Sequence, residues 1–361
     1  MEKLIKIIKS VLDDSQSKFE ITKEDIKKAQ YHKIEPFLYL ACDLDKTSDA
    51  VIGQIKLLWM KDIKKDTVQL AELDKILSIF EENKIACLPL KGSIMKHFYP
   101  YSFLRFMGDI DILLHPKDIK KDKKLLDKKG YTFESNSYNH LALKKKPYLE
   151  VELHRDLLPF QYPGYEIFQN VWQRLHLMKN KNYIYQMTSE DFFLFMLLHL
   201  NKHYVKAGSG IRSFLDIYLY LQNNPKLDLK YVYQELAKVN LKEICEQYII
   251  FSQKLFNLET LEGEYLVMAE RVKNSGVFGS SQVRLDTELK ENRNPIKTIW
   301  KKIFPSKKNM IQQYPVLNRQ IYLFPMMYGW RLLKAIFVTP ISSFKKVWRI
   351  FKNSHKVKNT K

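Results

Sequence analysis

The chain has 361 residues, 45% hydrophobic and 13% aromatic, which excludes a disordered or fibrous polypeptide and leaves room for two or three domains. It carries 60 Lys and Arg against 40 Asp and Glu, a net charge of +20 that favours anionic partners. Cys42, Cys87 and Cys245 are too sparse and scattered for a disulfide framework or a zinc knuckle and point to a reducing cytoplasm; residues 1–9 are too broken by charge for a secretory signal, and no apolar run reaches the roughly 18 residues of a membrane span.

Residues 1–83 read as a helical region, expected to pack as a collar on a catalytic sheet. Thr22 and Asp25 approximate a capping box, with Asp in place of the usual Glu or Gln. Leu57, Leu58, Ile63, Val68, Leu73, Ile76, Leu77 and Phe80 then recur at helical spacing. Residues 84–187 read as the catalytic core. An apolar strand is expected at 85–90, a short helix from Ser93 to about Tyr99, and a strand at 109–114. Pro116 suits the first turn of a helix that runs to Lys129 and stops at Gly130, its lysines forming a solvated face. Strands are expected at 131–134, 139–144 and 148–154. The order predicts an α+β fold: a small mixed sheet with helices on one face, flanked by N-terminal and C-terminal helical regions.

Residues 188–295 read as a helical domain. Thr188 and Asp191 resemble a second capping box, and the aromatic run at 192–198 reads as core, not as a cofactor box. Gly276, Gly279, Ser280, Ser281, Asn292, Asn294 and Pro295 mark 276–296 as a loop. Residues 296–361 form a basic amphipathic region. Positions 301–361 hold fourteen Lys and Arg and no Asp or Glu, with Trp330, Phe337, Phe344, Trp348 and Phe351 interleaved. Such a composition suits an anionic membrane surface or RNA; a helix packed on the protein, in a lysine-rich chain, is the plainer account.

Asp109 and Asp111 lie in a run that alternates with Ile110 and Ile112, so both carboxylates point to one strand face, about 7 Å apart along it. Like charges that close raise each other's pKa unless a positive charge intervenes. A hard dication is the obvious neutraliser, since Mg²⁺ takes one or two carboxylates plus substrate phosphates. Glu150, Glu152 and His154 share a face of a later strand, and Glu152 or Glu150 would supply a third carboxylate. Lys91, Gly92 and Ser93 stand where a helix starts, a place that attracts phosphate, although the upstream glycine of a P-loop is missing. Arg105 is either a bidentate phosphate clamp or a surface arginine. His199 and His203 lie at i, i+4 on one helix face, but Leu200 stands where a zinc-protease helix has Glu; with Asp216 they read as groups holding the helical domain to the cleft.

Lys91-Gly92-Ser93, Gly108-Asp109-Ile110-Asp111 and Val151-Glu152-Leu153-His154 together resemble the signature of the DNA polymerase beta-like nucleotidyltransferase superfamily. More narrowly, Leu90-Lys91-Gly92, the run from Arg105 to Leu113, the acidic-Leu-His of Glu152 to His154, and the later His199, His203, Arg212 and Asp216 are similar to a family of uncharacterised bacterial nucleotidyltransferases. The resemblance covers roughly residues 70–225. It implies Mg²⁺ held by Asp109, Asp111 and Glu152, with Glu152 favoured over Glu150, and an NTP bound by Lys91, Gly92, Ser93 and Arg105. His154 and Glu150 would stand behind these groups, His154 orienting Glu152 or touching the acceptor. The reaction expected is transfer of NMP to a hydroxyl or phosphate acceptor in surface-glycan or peptide biosynthesis. A toxin-like RNA-modifying enzyme is the alternative that the positive charge favours. A catalytically silent module, peripheral on the inner membrane face or bound to RNA, is a third, against which the intact Asp109, Asp111 and Glu152 argue.

Overall fold

The computed structural model describes residues 1–337 and 348, without 138, 148, 278, 293, 294, 319, 335 and 336. Four helices lead: α1 (Glu2–Leu12), α2 (Lys23–His32), α3 (Pro36–Leu40) and the 34-residue α4 (Asp49–Glu82). Next come β1 (Cys87–Pro89), α5 (Lys91–Met95), β2 (Ile110–Leu114), α6 (Ile119–Asp127), β3 (Thr132–Asn136), β4 (His140–Lys145) and β5 (Leu149–His154). A short α7 (Tyr165–Phe168) and a two-strand ribbon, β6 (His176–Leu177) with β7 (Tyr185–Gln186), connect to the helices α8 (Ser189–Ala207), α9 (Ile211–Asn223), α10 (Leu229–Lys238), α11 (Lys242–Phe256) and α12 (Glu264–Lys273). The chain then runs through α13 (Ser281–Asn292), α14 (Pro295–Ile303), α15 (Lys307–Gln313) and α16 (Phe324–Leu333). The fold is the expected α+β type.

The five strands order as β1-β2-β5-β4-β3. Only the β2–β5 pair is parallel; the others are antiparallel. Ile110, Ile112, Val151 and Leu153 point to one face, where Ile76, Ile79 and Phe80 of α4 and Ile119 and Leu126 of α6 cover them. Strand alternation therefore separates an apolar layer from a face that carries Asp111, Glu152 and His154.

Several local expectations hold. Thr22 and Asp25 make a reciprocal capping box. At α8, Thr188 caps the Asp191 N–H, but the Asp191 carboxylate is taken by Arg174 instead of closing the box. Other expectations need correcting. The helix after β2 starts at Ile119 and not at Pro116, with residues 116–118 in a turn, and Gly130 beyond it has a left-handed φ of +85° that favours glycine. Segment 276–296 is mostly helix: Leu285 and Leu289 of α13 are buried and α13 packs along α8, so its glycines and Pro295 mark helix boundaries. The N-terminal helices do not ring the sheet. Ile5, Ile8, Ile26 and Phe37 share a core with Phe193, Phe214, Tyr248 and Phe251 of the later helices, and only the second half of α4 lies on the sheet. The strand start placed at Tyr148, and the tail's second amphipathic segment apart from Trp348, fall outside the described residues.

Glu35, at the start of α3, is 6% exposed, and its Oε2 has no hydrogen-bond partner among the described residues. Burial, helped by the nearby Asp62 charge, pushes its carboxyl from the ordinary 4.5 up to about 7. Between those values the folded protein holds a proton that the unfolded chain has lost, so stability falls as pH rises through that window. Glu35→Gln is expected to stabilise the protein by about 2–3 kcal/mol at pH 8, from about 1.4 kcal/mol per pKa unit, and to change little at pH 4, as read from urea unfolding at the two pH values.

Candidate active site

The parallel pairing of β2 with β5 sets Asp111 opposite Glu152 and Leu113 opposite His154. Asp109 immediately precedes β2, and its carboxylate reaches the same spot: ligand oxygens of Asp109, Asp111 and Glu152 lie within 4.8 Å of one another. Glu150 shares the strand parity of Glu152 but sits outside, with a 48% exposed side chain paired to Lys144 at 3.0 Å. The carboxylates line a cavity of about 380 Å³ between the sheet and helices α8 and α9.

Burial raises the pKa of Asp109, and the Asp111 and Glu152 charges raise it further. Burial also works against ionisation of Asp111, but His154 outweighs it: Nε2 lies 2.8 Å from Asp111 Oδ1, and the Asp111 pKa falls. His154 is correspondingly raised, because Asp111 and Glu152 overcome the burial that disfavours imidazolium. His140, unnoticed in the sequence, pairs across β4–β5 directly opposite His154, and its Nε2 lies 3.4 Å from Glu152 Oε1.

Basic groups line the same cavity. They are Lys91 at the start of α5, His199, Lys202 and His203 from α8, and Arg212 from α9. Lys91 Nζ lies 2.9 Å from His199 Nε2, and His203 Nε2 is 3.3 Å from the same atom. Burial and the surrounding cations push His199 well down and lower His203 as well, which favours neutral rings. Burial lowers Lys91 to about 7 and Lys202 to about 8, with Asp111 pulling both upward. Arg212 Nε is buried without a hydrogen-bond partner among the described residues. Gly92 is tight: a Cβ there would meet Met107 Sδ at 3.1 Å and Arg105 Nη1 at 3.2 Å.

Two proposed phosphate groups are placed differently from expectation. Ser93 does not reach the cavity; its Oγ donates to Leu90 O at 2.8 Å, and the residue lines a separate groove with Pro89, His97 and Phe98. Arg105 lines the cavity but is no surface arginine, being 4% exposed. Its Nε and Nη2 donate to the two oxygens of Asp216 at 3.3 and 2.9 Å, and Tyr99 donates to Asp216 Oδ1 at 2.8 Å. Asp216 is therefore engaged away from His199 and His203, and those three make no metal cluster.

The backbone leading into Asp109 is held carbonyl by carbonyl. Lys96 Nζ donates to Arg105 O at 3.0 Å, Arg212 Nη1 to Phe106 O at 2.8 Å, and Gln69 Nε2 to Met107 O at 3.1 Å. Donors from α4, α9 and the helical turn after α5 thus fix where the Asp109 carboxylate emerges. Of these residues only Arg105 and Arg212 had a sequence signal, as members of the family pattern; nothing local marks Gln69 or Lys96.

The model of one protein family, described as an uncharacterised nucleotidyltransferase, matches residues 23–257. Neither a curated protein nor a solved structure matches the chain. Replacing Asp216 with Ala would leave the Arg105 guanidinium buried without its counter-charge, a change that typically costs 3–5 kcal/mol. Chemical denaturation of Asp216→Ala is expected to show a loss of about that size, with Asp216→Asn intermediate because it keeps an acceptor for Arg105.

Proposed function

The chain belongs to the family of uncharacterised nucleotidyltransferases, and from that premise we propose that this cavity transfers an NMP group from a Mg²⁺-bound NTP to a hydroxyl or phosphate acceptor. The observation that carries the reading is the β2–β5 register, which brings Glu152 alongside the Asp109–Asp111 pair inside a cavity that Lys91, Lys202 and Arg212 also line. The acids suit a dication and the bases a polyphosphate.

Three partly buried carboxylates with oxygens within 4.8 Å, one of them raised by burial and by its neighbours, are the all-oxygen donor set that Mg²⁺ takes. Asp109, Asp111 and Glu152 would hold it, and when bound it would neutralise phosphate charge and polarise the α-phosphorus. The chain's own groups do the rest. Lys91, Lys202 and the unpaired Nε of Arg212 draw the β- and γ-phosphates toward themselves and stabilise the charge that develops on the leaving pyrophosphate. Gly92 keeps its part of the lining free of a side chain. Glu152, held between His140 and His154, accepts the acceptor's proton as its oxygen bonds to the α-phosphorus and the α–β bridging bond breaks. Arg105 acts through Asp216 and the Asp109 loop more than as a direct phosphate clamp. Asp109→Asn combined with Asp111→Asn is expected to abolish transfer and to weaken Mg²⁺-dependent NTP binding at least tenfold while leaving the fold intact; calorimetry with unchanged affinity in that double variant would sink the assignment.

The second part of the reading concerns location. No helix among the described residues is long and apolar enough to cross a membrane. Helix α16 nevertheless turns Met326, Trp330 and Leu333, at i, i+4 and i+7, outward at 60, 55 and 51% exposure, and Phe337 follows at 74%. Its other side packs Phe324 and Tyr328 on Met310 and Leu317. An exposed aromatic stripe in a segment with fourteen positive and no negative side chains suits the surface of an anionic bilayer, where a lipid-linked acceptor would meet the cavity. The full chain is expected to sediment with anionic and not neutral vesicles, and Trp330→Ser with Phe337→Ser to lose most of that binding. Retention by vesicles in the double variant, or displacement by RNA alone, would favour the packed-helix or RNA account.

A further inference from the structure

Besides the all-oxygen set, the cavity contains a second donor set built on nitrogen. His140 and His154 stand directly opposite each other on β4 and β5, with ring centroids 5.4 Å apart, and Glu152 lies two residues before His154 on the same face. Both rings turn Nε2 toward the one carboxylate. His140 Nε2 is 3.4 Å from Glu152 Oε1, and His154 Nε2 is 3.3 Å from Oε2. These separations exceed the roughly 2.7–2.9 Å of a charge-assisted hydrogen bond, which His154 does reach with Asp111, at 2.8 Å. Each is close to the ~3.3 Å between two neighbouring ligand atoms of a tetrahedral ion with bonds of about 2.0–2.1 Å, one carboxylate oxygen facing each ring. The ligand atoms of the three residues all fall within 4.8 Å of one another.

Donor chemistry separates this set from the neighbouring one. Mg²⁺ seeks oxygen, whereas imidazole suits zinc and the later first-row transition metals. We infer that His140, Glu152 and His154 form a binding position for a zinc-type transition-metal dication, adjoining the Asp109–Asp111 position and sharing Glu152 with it. Three protein ligands leave a fourth position open to the cavity, the arrangement of a site that engages a substrate oxygen and not of a closed structural site. The cross-strand origin of the set explains why no local motif announces it: His140 and His154 are neighbours only because β4 folds back on β5. What the position does rests on the nucleotidyl-transfer reading; whether it exists does not.

The test uses the full-length protein without nucleotide. Co²⁺ is added and the visible d–d absorption recorded, then Zn²⁺ affinity is measured against a chromophoric chelator, with Mg²⁺-dependent NTP binding followed in parallel on the unsubstituted protein. The expected result is a tetrahedral-type Co²⁺ band that Zn²⁺ displaces. His140→Gln should abolish the band and weaken Zn²⁺ at least tenfold, a loss in the range seen when a metal site's support is removed. His140→Cys, which restores a soft donor, should keep Zn²⁺ binding and add sulfur-to-cobalt charge-transfer intensity; circular dichroism checks that both variants fold. Absence of the band in the unsubstituted protein overturns the inference, as does Zn²⁺ affinity that His140→Gln leaves unchanged and Asp109→Asn removes. A Co²⁺ band without NTP binding would keep the inference and topple the nucleotide reading; NTP binding without the band would do the reverse.

Discussion

Three carboxylates held within 4.8 Å of one another in a partly buried cavity repel one another unless positive groups surround them, and most of the architecture around the cavity answers that constraint. His154 supplies one counter-charge from the strand itself. Lys91, Lys202 and Arg212 supply others from helices, lining the same cavity without closing to ion-pair distance of the acids. That standoff separates this cavity from an ordinary buried ion-pair network. In such a network acids and bases close to contact, as Lys96 does with Asp66 and Arg105 with Asp216. Here the charges are kept apart by space large enough for a ligand.

The contacting pairs serve the separated ones. Arg105 and Asp216 join the loop before β2 to α9, while Lys96 and Gln69 tie the same loop to α4 and to the turn after α5. Asp109 lies outside the sheet ladder, so no strand hydrogen bond fixes it; the side-chain donors on carbonyls 105, 106 and 107 take over that task. Buried charge of this kind adds little net stability compared with an apolar replacement. Its value is geometric, since a carboxylate displaced by an ångström no longer meets its partners.

What the sequence discloses about this site follows the distance over which each signal acts. Asp109 and Asp111 are legible because alternation is a two-residue property. Glu152 is harder, because parity treats Glu150 and Glu152 alike; only the pairing partner, Asp111 opposite Glu152, separates them, and the family pattern had stood in for that register. His140, Lys202 and Gln69 are invisible locally, since each matters through a contact made across strands or between helices. Ser93 misled for a related reason: one residue along a five-residue helix rotates a side chain by about 100°, enough to send it to another groove. The segment 276–296 misled because glycine and proline mark where helices end, not how long the gap between them is.

The helical core has an order of assembly built into it. Ile5, Ile8, Ile26 and Phe37 share a core that begins with their own neighbours and extends through Phe193 to Val272, whereas the apolar layer of the sheet and its cover find their partners between Leu73 and Ile184. Synthesis runs from N- to C-terminus, so α1 can meet α3, and α3 can meet α4, early, while the part of that core on α8, α9 and α11 follows more than 150 residues after Phe37. The sheet, complete much earlier, can settle in the meantime. The N-terminal helices are thus satisfied in two stages, first against one another and only later against the helices that follow the sheet.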